Sequence, residues 1–239
     1  MEKALRVLAP VALLAALALA GCSAPAADDQ PDGSASASAP TESAAPAEEA
    51  APSEPLGQET LEEHVAAAGL QLIDIEAQGG VDALAGALEG VTVEPAECQA
   101  LMESGFALVQ ENESTFAVGM DEQTGVTGGI MSFADPAIVG TALDANTAAG
   151  GACSDITVTT ATGDAFEGHI EVVDVEVAGA DQAYGTVTTT TVQGTEVTNA
   201  TVTAAVGTAY VTGSSAFGDD VVTAATETAQ KLVDQLTAE

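Results

Sequence analysis

The run from Ser154 to Thr212 limits the fold more than any other part of this chain. It is dominated by Thr and Val and punctuated by Gly163, Gly179, Gly194 and Gly207, with Gly213 just beyond it. Branching at Cβ restricts χ1 in a helix and suits a pleated surface. The pattern predicts strands near Ser154–Thr160, Gly168–Val177, Ala183–Val192, Glu196–Ala205 and Thr208–Thr212. Short connections between them favour antiparallel neighbours. So much Thr implies a sheet with one solvated face. Alternation is weak from Thr186 to Thr191, which leaves the register there open by a residue. A further hairpin is expected upstream. Thr115–Met120 places Phe116, Val118 and Met120 on one face, Asp121–Gly125 turns, and Val126–Phe133 returns. Gly128-Gly129 within it points to a bulge or a close backbone approach.

Helical signals surround these strands. Thr60-Leu61-Glu62-Glu63 fits a capping box, and Gly69 supplies a stop, so a short helix is expected with Leu61, Val65 and Ala68 on one face. Leu70–Ile75 reads as a short strand or a connector. Val81–Leu88 reads as a second helix ended by Gly90. Glu94-Pro95 opens a third, which runs to about Glu103 and carries Cys98. Asp135-Pro136 caps another that reaches about Ala148, with Ile138, Val139, Ala142 and Leu143 inward and Gly150-Gly151 as its end. Asp219-Asp220 caps the last, Val221–Leu236, whose stripe is Val222, Ala225, Ala229, Leu232, Val233 and Leu236. The sum is an α+β domain: an antiparallel sheet of about five to seven strands, helices packed on it, and a C-terminal helix. From Gln58 onward, about 180 residues suffice for one core.

The N-terminal region is of another kind. Lys3 and Arg6 precede an apolar run, Val7–Leu19, and then Leu19-Ala20-Gly21-Cys22. That tetrapeptide resembles the lipobox of bacterial lipoproteins, in which the cysteine receives a diacylglyceryl group and the preceding peptide is removed. The resemblance implies a signal peptide over residues 1–21 and a mature chain starting at Cys22, acylated, with palmitate as an expected chain. The apolar run is shorter than the roughly 20 residues that span a bilayer. Residues 22–57 are then Ala, Pro, Ser, Glu and Asp with few large apolar side chains. Such a composition cannot offset its ordering entropy, so a disordered linker is expected before a domain at 58–239. The expected location is the extracytoplasmic face of a cell membrane, with the membrane contacted through the lipid.

The formal net charge is −34, and losing Lys3, Arg6 and Glu2 with the leader takes it to −35. Lys231 is then the one basic residue left. Nucleic acid is excluded as a partner, because binding it needs clustered Lys and Arg. The acid content fits either a salt-adapted lineage or a positively charged partner. With Cys22 committed to lipid, Cys98 and Cys153 remain. An even pair in an oxidising compartment reads as one disulfide, closing a loop of about 55 residues; two free thiols are the alternative.

Little in the sequence supports catalysis. No Gly-x-Ser-x-Gly elbow and no phosphate-cradling loop with a lysine occurs. His64, His169 and the two cysteines lack ligand spacing, so neither a metal nor a cofactor is expected. The stretch His169-Ile170-Glu171-Val172-Val173-Asp174-Val175-Glu176 is the candidate ligand or cation face. Alternation puts His169 and Glu171 on one side and Asp174 and Glu176 on the other, and a bulge at Val172-Val173 would unite them. The plain alternative is an edge strand with its charges in water.

Glu94-Pro95-Ala96-Glu97-Cys98, Gly151-Ala152-Cys153 and the terminal Lys231-Leu232-Val233 together resemble the sensor-type extracytoplasmic domains of actinobacterial lipoproteins. These are similar to the external domain of the mycobacterial receptor kinase PknH. The resemblance spans Gln58–Glu239 and implies a non-catalytic module that binds an envelope ligand or protein of unknown identity. Two disulfides are expected in the kinase domain, and only one can form here. An envelope hydrolase using Glu171 and Asp174 as base and acid, or a passive acidic spacer, are the competing readings.

Overall fold

The computed structural model describes residues 51–99, 108–110, 112–192, 194–216, 218 and 220–238. The expected leader, Cys22 and the expected linker up to residue 50 lie outside them. In chain order the elements are helix α1 (Gln58–Ala67), strand β1 (Gln71–Leu72), helix α2 (Gly80–Ala87), strand β2 (Thr92–Glu94), and strands β3 (Ser114–Met120) and β4 (Thr127–Phe133). Helix α3 (Pro136–Ala152) follows, then β5 (Asp155–Thr159), β6 (Ala165–Val173), β7 (Gln182–Val192), β8 (Thr195–Val206), β9 (Ala209–Ser215) and helix α4 (Val221–Thr237).

Among the described residues nine strands form one sheet in the order β1-β3-β4-β9-β8-β7-β6-β5-β2, and each paired neighbour is antiparallel. The expected class holds, but the sheet exceeds five to seven strands. β1, of two residues, lies within Leu70–Ile75, expected as a short strand or a connector, and β2, of three residues, is an addition. Runs so short carry no periodicity of their own; pairing with β3 and β5 makes them strands. Short edges also limit unwanted pairing. Gln99 blunts the β2 edge further, its side-chain oxygen accepting from Val93 N–H at 2.8 Å.

Helices α1 and α4 cover one face of the sheet, over β3, β4, β9 and β8. Leu61, Val65, Leu232 and Val233 from the helices and Ile130, Val202 and Val211 from the sheet are fully buried there. The α4 stripe is as expected, with Thr228 added and Val222 only half-buried. Asp220 caps that helix, accepting from Thr223 N–H at 3.0 Å, and these hydrogen bonds hold its carboxyl below the usual carboxylate range. On the opposite face α3 packs Val139, Ala142 and Leu143 against Phe133, Ala205 and Tyr210. Asp135 caps α3 as expected, accepting from Ala137 N–H at 2.9 Å.

Glycines set how closely the layers approach. Gly119, Gly128 and Gly213 are aligned across β3, β4 and β9 on the face under α1 and α4. A Cβ on Gly128 would meet Thr228 Cγ2 at 2.8 Å and Leu232 Cδ1 at 3.0 Å, and one on Gly213 would collide with the Ala225 carbonyl oxygen. The Gly128-Gly129 pair therefore serves close approach, and the β3–β4 register runs without a bulge. Gly150 acts likewise: α3 continues through it to Ala152, because its bare Cα lets the helix sit on Val172 of the sheet. The expected stop at Gly150-Gly151 is thus corrected to Cys153.

Other expectations also shift. Helix α1 starts at Gln58 after Gly57, with no side-chain cap, so the capping box at Thr60 does not form. The Gln58 amide bonds Glu62 and the Phe116 carbonyl instead. Phe116, Val118 and Met120 share a face but are half-buried; Ala117 and Gly119 form the buried side, since α1 lies there. Glu94-Pro95 closes β2, and a 3-10 turn, Ala96–Cys98, comes before helical backbone at Gln99, so the expected helix begins one turn later; the rest of the span expected to reach Glu103 lies outside the described residues. Cys98 and Cys153 are bridged, with Cα atoms 5.7 Å apart, and both are buried with Val93, Ile156 and Ile170. Residues 51–57 are also hydrogen-bonded to the domain, upstream of the expected boundary at Gln58.

Candidate functional site

The half of the sheet formed by β7, β6, β5 and β2 has unlike faces. Val93, Ile156 and Ile170 point to the disulfide side and are buried. Glu94, Asp155, Glu167, His169 and Glu171 occupy the alternate positions and are exposed. Thr157, Thr159, Thr189 and Thr198 share that face at intermediate exposure. Register places Asp155 opposite His169, His169 opposite Thr189, and Thr189 opposite Thr198, a row running straight across four strands. Next to it Glu94 pairs with Thr157, and Thr157 with Glu167. Helices α1 and α4 cover the other half of this face, so these polar groups look out beside them.

The sequence candidates are only partly brought together. The β6–β7 register is unbroken from Gly168 to Val173, so the expected bulge at Val172-Val173 is absent. His169 and Glu171 stand on the uncovered face. Asp174 and Glu176 follow the end of β6, in the connector to β7. Glu176 lines a shallow recess of about 500 Å3 there, with Val175, Asp181, Gln182 and Gln230. Gln230 holds this connector to α4, accepting from Ala178 N–H at 2.7 Å and donating to Ala178 O at 3.0 Å.

The partner of His169 is Asp155, on the neighbouring strand, with Nδ1 and Oδ1 3.0 Å apart. The hydrogen bond from His169 holds the Asp155 carboxyl below the usual range. Any stability from this pair is present above the ordinary carboxylate range and is lost as pH falls through the lowered value. Both groups are exposed, so the gain is screened. Replacing His169 by Ala is expected to raise the Asp155 titration midpoint towards the ordinary value, followed by carboxyl carbon shifts in NMR; an unmoved midpoint would refute the pairing.

Chemically this cluster does not activate a nucleophile. Ser154 lies beside the pair, but its hydroxyl donates to Asp155 Oδ2 at 3.4 Å. A hydrolytic triad needs the serine on the imidazole and the carboxylate behind it. Here the carboxylate stands in the middle. His64 is buried in α1 next to Val65, away from these residues. Among the described residues no group of three or more His, Cys, Asp or Glu is arranged to hold a metal ion.

A second polar cluster escaped the sequence reading. Tyr184 on β7 and Tyr210 on β9 flank Thr203 on β8, on the face under α3. Asn146 of α3 donates to the Tyr210 hydroxyl at 3.3 Å. Burial pushes both phenols up from their ordinary value, so both remain protonated at neutral pH. These are the two tyrosines of the whole chain. Their isolation within runs of small residues was the one available signal; their meeting depends on strand register.

No family model matches the chain, and no curated protein matches it. Among solved structures, the extracellular domain of PknH from Mycobacterium tuberculosis is similar, with a TM-score of 0.48 and 15% sequence identity over 79% of this chain and 100% of that one. The expected likeness to the external domain of PknH is met at this weak level of similarity.

Proposed function

We propose that this protein is a lipid-anchored, extracytoplasmic binding module that works by recognition and not by catalysis. The observation that carries this reading is the uncovered half-face of the sheet, where Glu94, Asp155, Glu167, His169 and Glu171 are held on rigid strands. Strands position side chains more accurately than loops do. The reversed order of Ser154, Asp155 and His169 supports binding over hydrolysis. The lipobox at Cys22 supports the anchor, and no helix among the described residues is long and apolar enough to cross a membrane. The ligand or partner is an envelope component that tolerates or prefers dense negative charge; nucleic acid is excluded by repulsion.

One experiment in intact cells tests both halves of the reading. Cys22→Ser is expected to move the protein from the membrane fraction to the medium. Combined Asp155→Asn, Glu167→Gln and Glu171→Gln is expected to leave it anchored but to abolish chemical crosslinks to envelope material. Neutralising Glu59 and Glu63 on α1 is the control and should leave those crosslinks. Equal crosslinking of wild type and the face variant would refute the assignment of the face.

A further inference from the structure

The turn between β8 and β9, Gly207-Thr208, joins three other parts of the chain. Thr208 N–H donates to the Pro52 carbonyl at 3.0 Å, and its hydroxyl donates to the Glu54 carbonyl at 3.0 Å. Thr208 O accepts from Phe133 N–H, at the end of β4, at 3.0 Å. Gly207 N–H donates to Asp181 Oδ2 at 2.8 Å. Gly207 has φ +57, and a Cβ there would collide with the Pro52 carbonyl oxygen. Nothing larger than glycine lets the segment around Pro52 lie on the turn.

That segment, residues 51–57, is fastened again further along. Leu56 N–H donates to Ser132 Oγ at 2.9 Å, and the Thr115 hydroxyl donates to Leu56 O at 2.6 Å. Ala51 and Leu56 pack against the main core. Thr208 is 0% exposed and Ser132 1%. A buried hydroxyl is tolerated when it is paired and costly when it is not. These two are paired here by the backbone of residues 51–57. Two core polar groups therefore presuppose that the segment is seated.

Asp181 extends the chain of contacts to the β6–β7 connector. Its N–H donates to Ala205 O at 2.8 Å, while its carboxylate holds Gly207. The same residue lines the recess that contains Glu176 and Gln230. A continuous path thus runs from Pro52 and Glu54 through Gly207-Thr208 to Asp181 and the recess.

We propose that residues 51–57 form a clasp whose seating on the Gly207-Thr208 turn orders Asp181 and the recess beside it. Release of the clasp frees the turn, and a freed turn no longer holds the connector. Coupling between two sites is reciprocal, so loosening the connector must also loosen the clasp. The clasp continues the segment that leads back to Cys22. On the anchored reading above, pull on the tether is therefore felt at the recess. The coupling itself does not depend on the anchor.

Hydrogen exchange of the full chain, read by mass spectrometry, tests this. Thr208→Val is expected to speed exchange about tenfold in residues 51–57 and also in 178–182, the size set by losing one buried hydrogen bond. Thr208→Ser, which keeps the hydroxyl, should restore slow exchange. Asp181→Ala, a change at an exposed side chain, should speed exchange in 51–57 as well. Amides of α4 should be unaffected in each. Variants that loosen only their own segment, or that speed α4 equally, would overturn the proposal. So would a wild-type clasp exchanging as fast as unstructured chain. Loss of the anchor in Cys22→Ser would leave all these exchange patterns intact, so the two readings fail separately.

Discussion

Gly213→Ala is expected to lower the melting temperature by roughly 10 °C. The new Cβ would enter the space of the Ala225 carbonyl and lie 2.8 Å from Ala229 N, both backbone atoms of α4. A side chain can rotate away from such a clash; a helix backbone must translate. Overpacking costs about 1–3 kcal/mol where side chains can adjust, and this site belongs at the upper end or beyond. At roughly 2–4 °C per kcal/mol for a domain of this size, the shift follows. Moving α4 outward would also loosen Leu232 and Val233 from the sheet, so the unfolding transition should broaden. Gly140→Ala is the control: no atom lies within 4 Å of its Cβ position in α3, and alanine is the better helix former. It should hold or raise the melting temperature. A Gly213→Ala variant melting within a degree of wild type would refute the direct contact of α4 with β9.

Removing the Cys98–Cys153 bridge is expected to cost about 4 kcal/mol in the chain-entropy model, again roughly 10 °C. The bridge spans 55 residues of sequence. It ties the 3-10 turn after β2 to the C-cap of α3, and both cysteines are buried against Val93, Ile156 and Ile170. β2 has three residues and pairs with one neighbour, and the bridge adds to the Gln99 side chain in holding that edge. The double variant Cys98→Ala/Cys153→Ala should therefore lose order first at β2, seen as fast exchange of Val93 and Glu94. A reductant should lower the melting temperature of wild type and leave that of the double variant unchanged. Equal melting with and without reductant in wild type would mean that the bridge contributes nothing to stability.

The two effects differ in how far the sequence exposes them. Cys98 and Cys153 could be paired from the sequence by count and compartment, because a bridge needs only two thiols and an oxidising space. Gly213 read as one punctuation mark among several. Its role depends on α4 crossing β9 at that point, a contact between residues far apart in helical and strand registers. The same holds for Gly150, where the rule that glycine ends helices lost to close packing against Val172.

The candidate site divides along the same line. Alternation put His169 and Glu171 together on one face of β6, and they are there. It could not supply Asp155, because opposition across β5 and β6 is fixed by where the Thr160–Asp164 turn closes. Asp174 and Glu176 were misplaced because the strand ends at Val173, where β7 begins its pairing at Gly185. Tyr184 and Tyr210 meet across an intervening strand, which no local pattern encodes.

The α+β class, with an antiparallel sheet and a C-terminal helix, was legible in the residues alone. Branched residues and glycine spacing dictated the long antiparallel strands, and the 3.6-residue stripe dictated the last helix. These are properties of short windows, where backbone preference and burial act over neighbouring residues. Packing of the whole chain settled the short strand β2, the choice of strand over connector at β1, the helix-to-sheet contacts at glycine, the Asp155–His169 pair and the clasp at Gly207-Thr208. Each depends on groups distant in sequence satisfying one another's hydrogen bonds or filling one another's space, and that is settled when the whole chain packs.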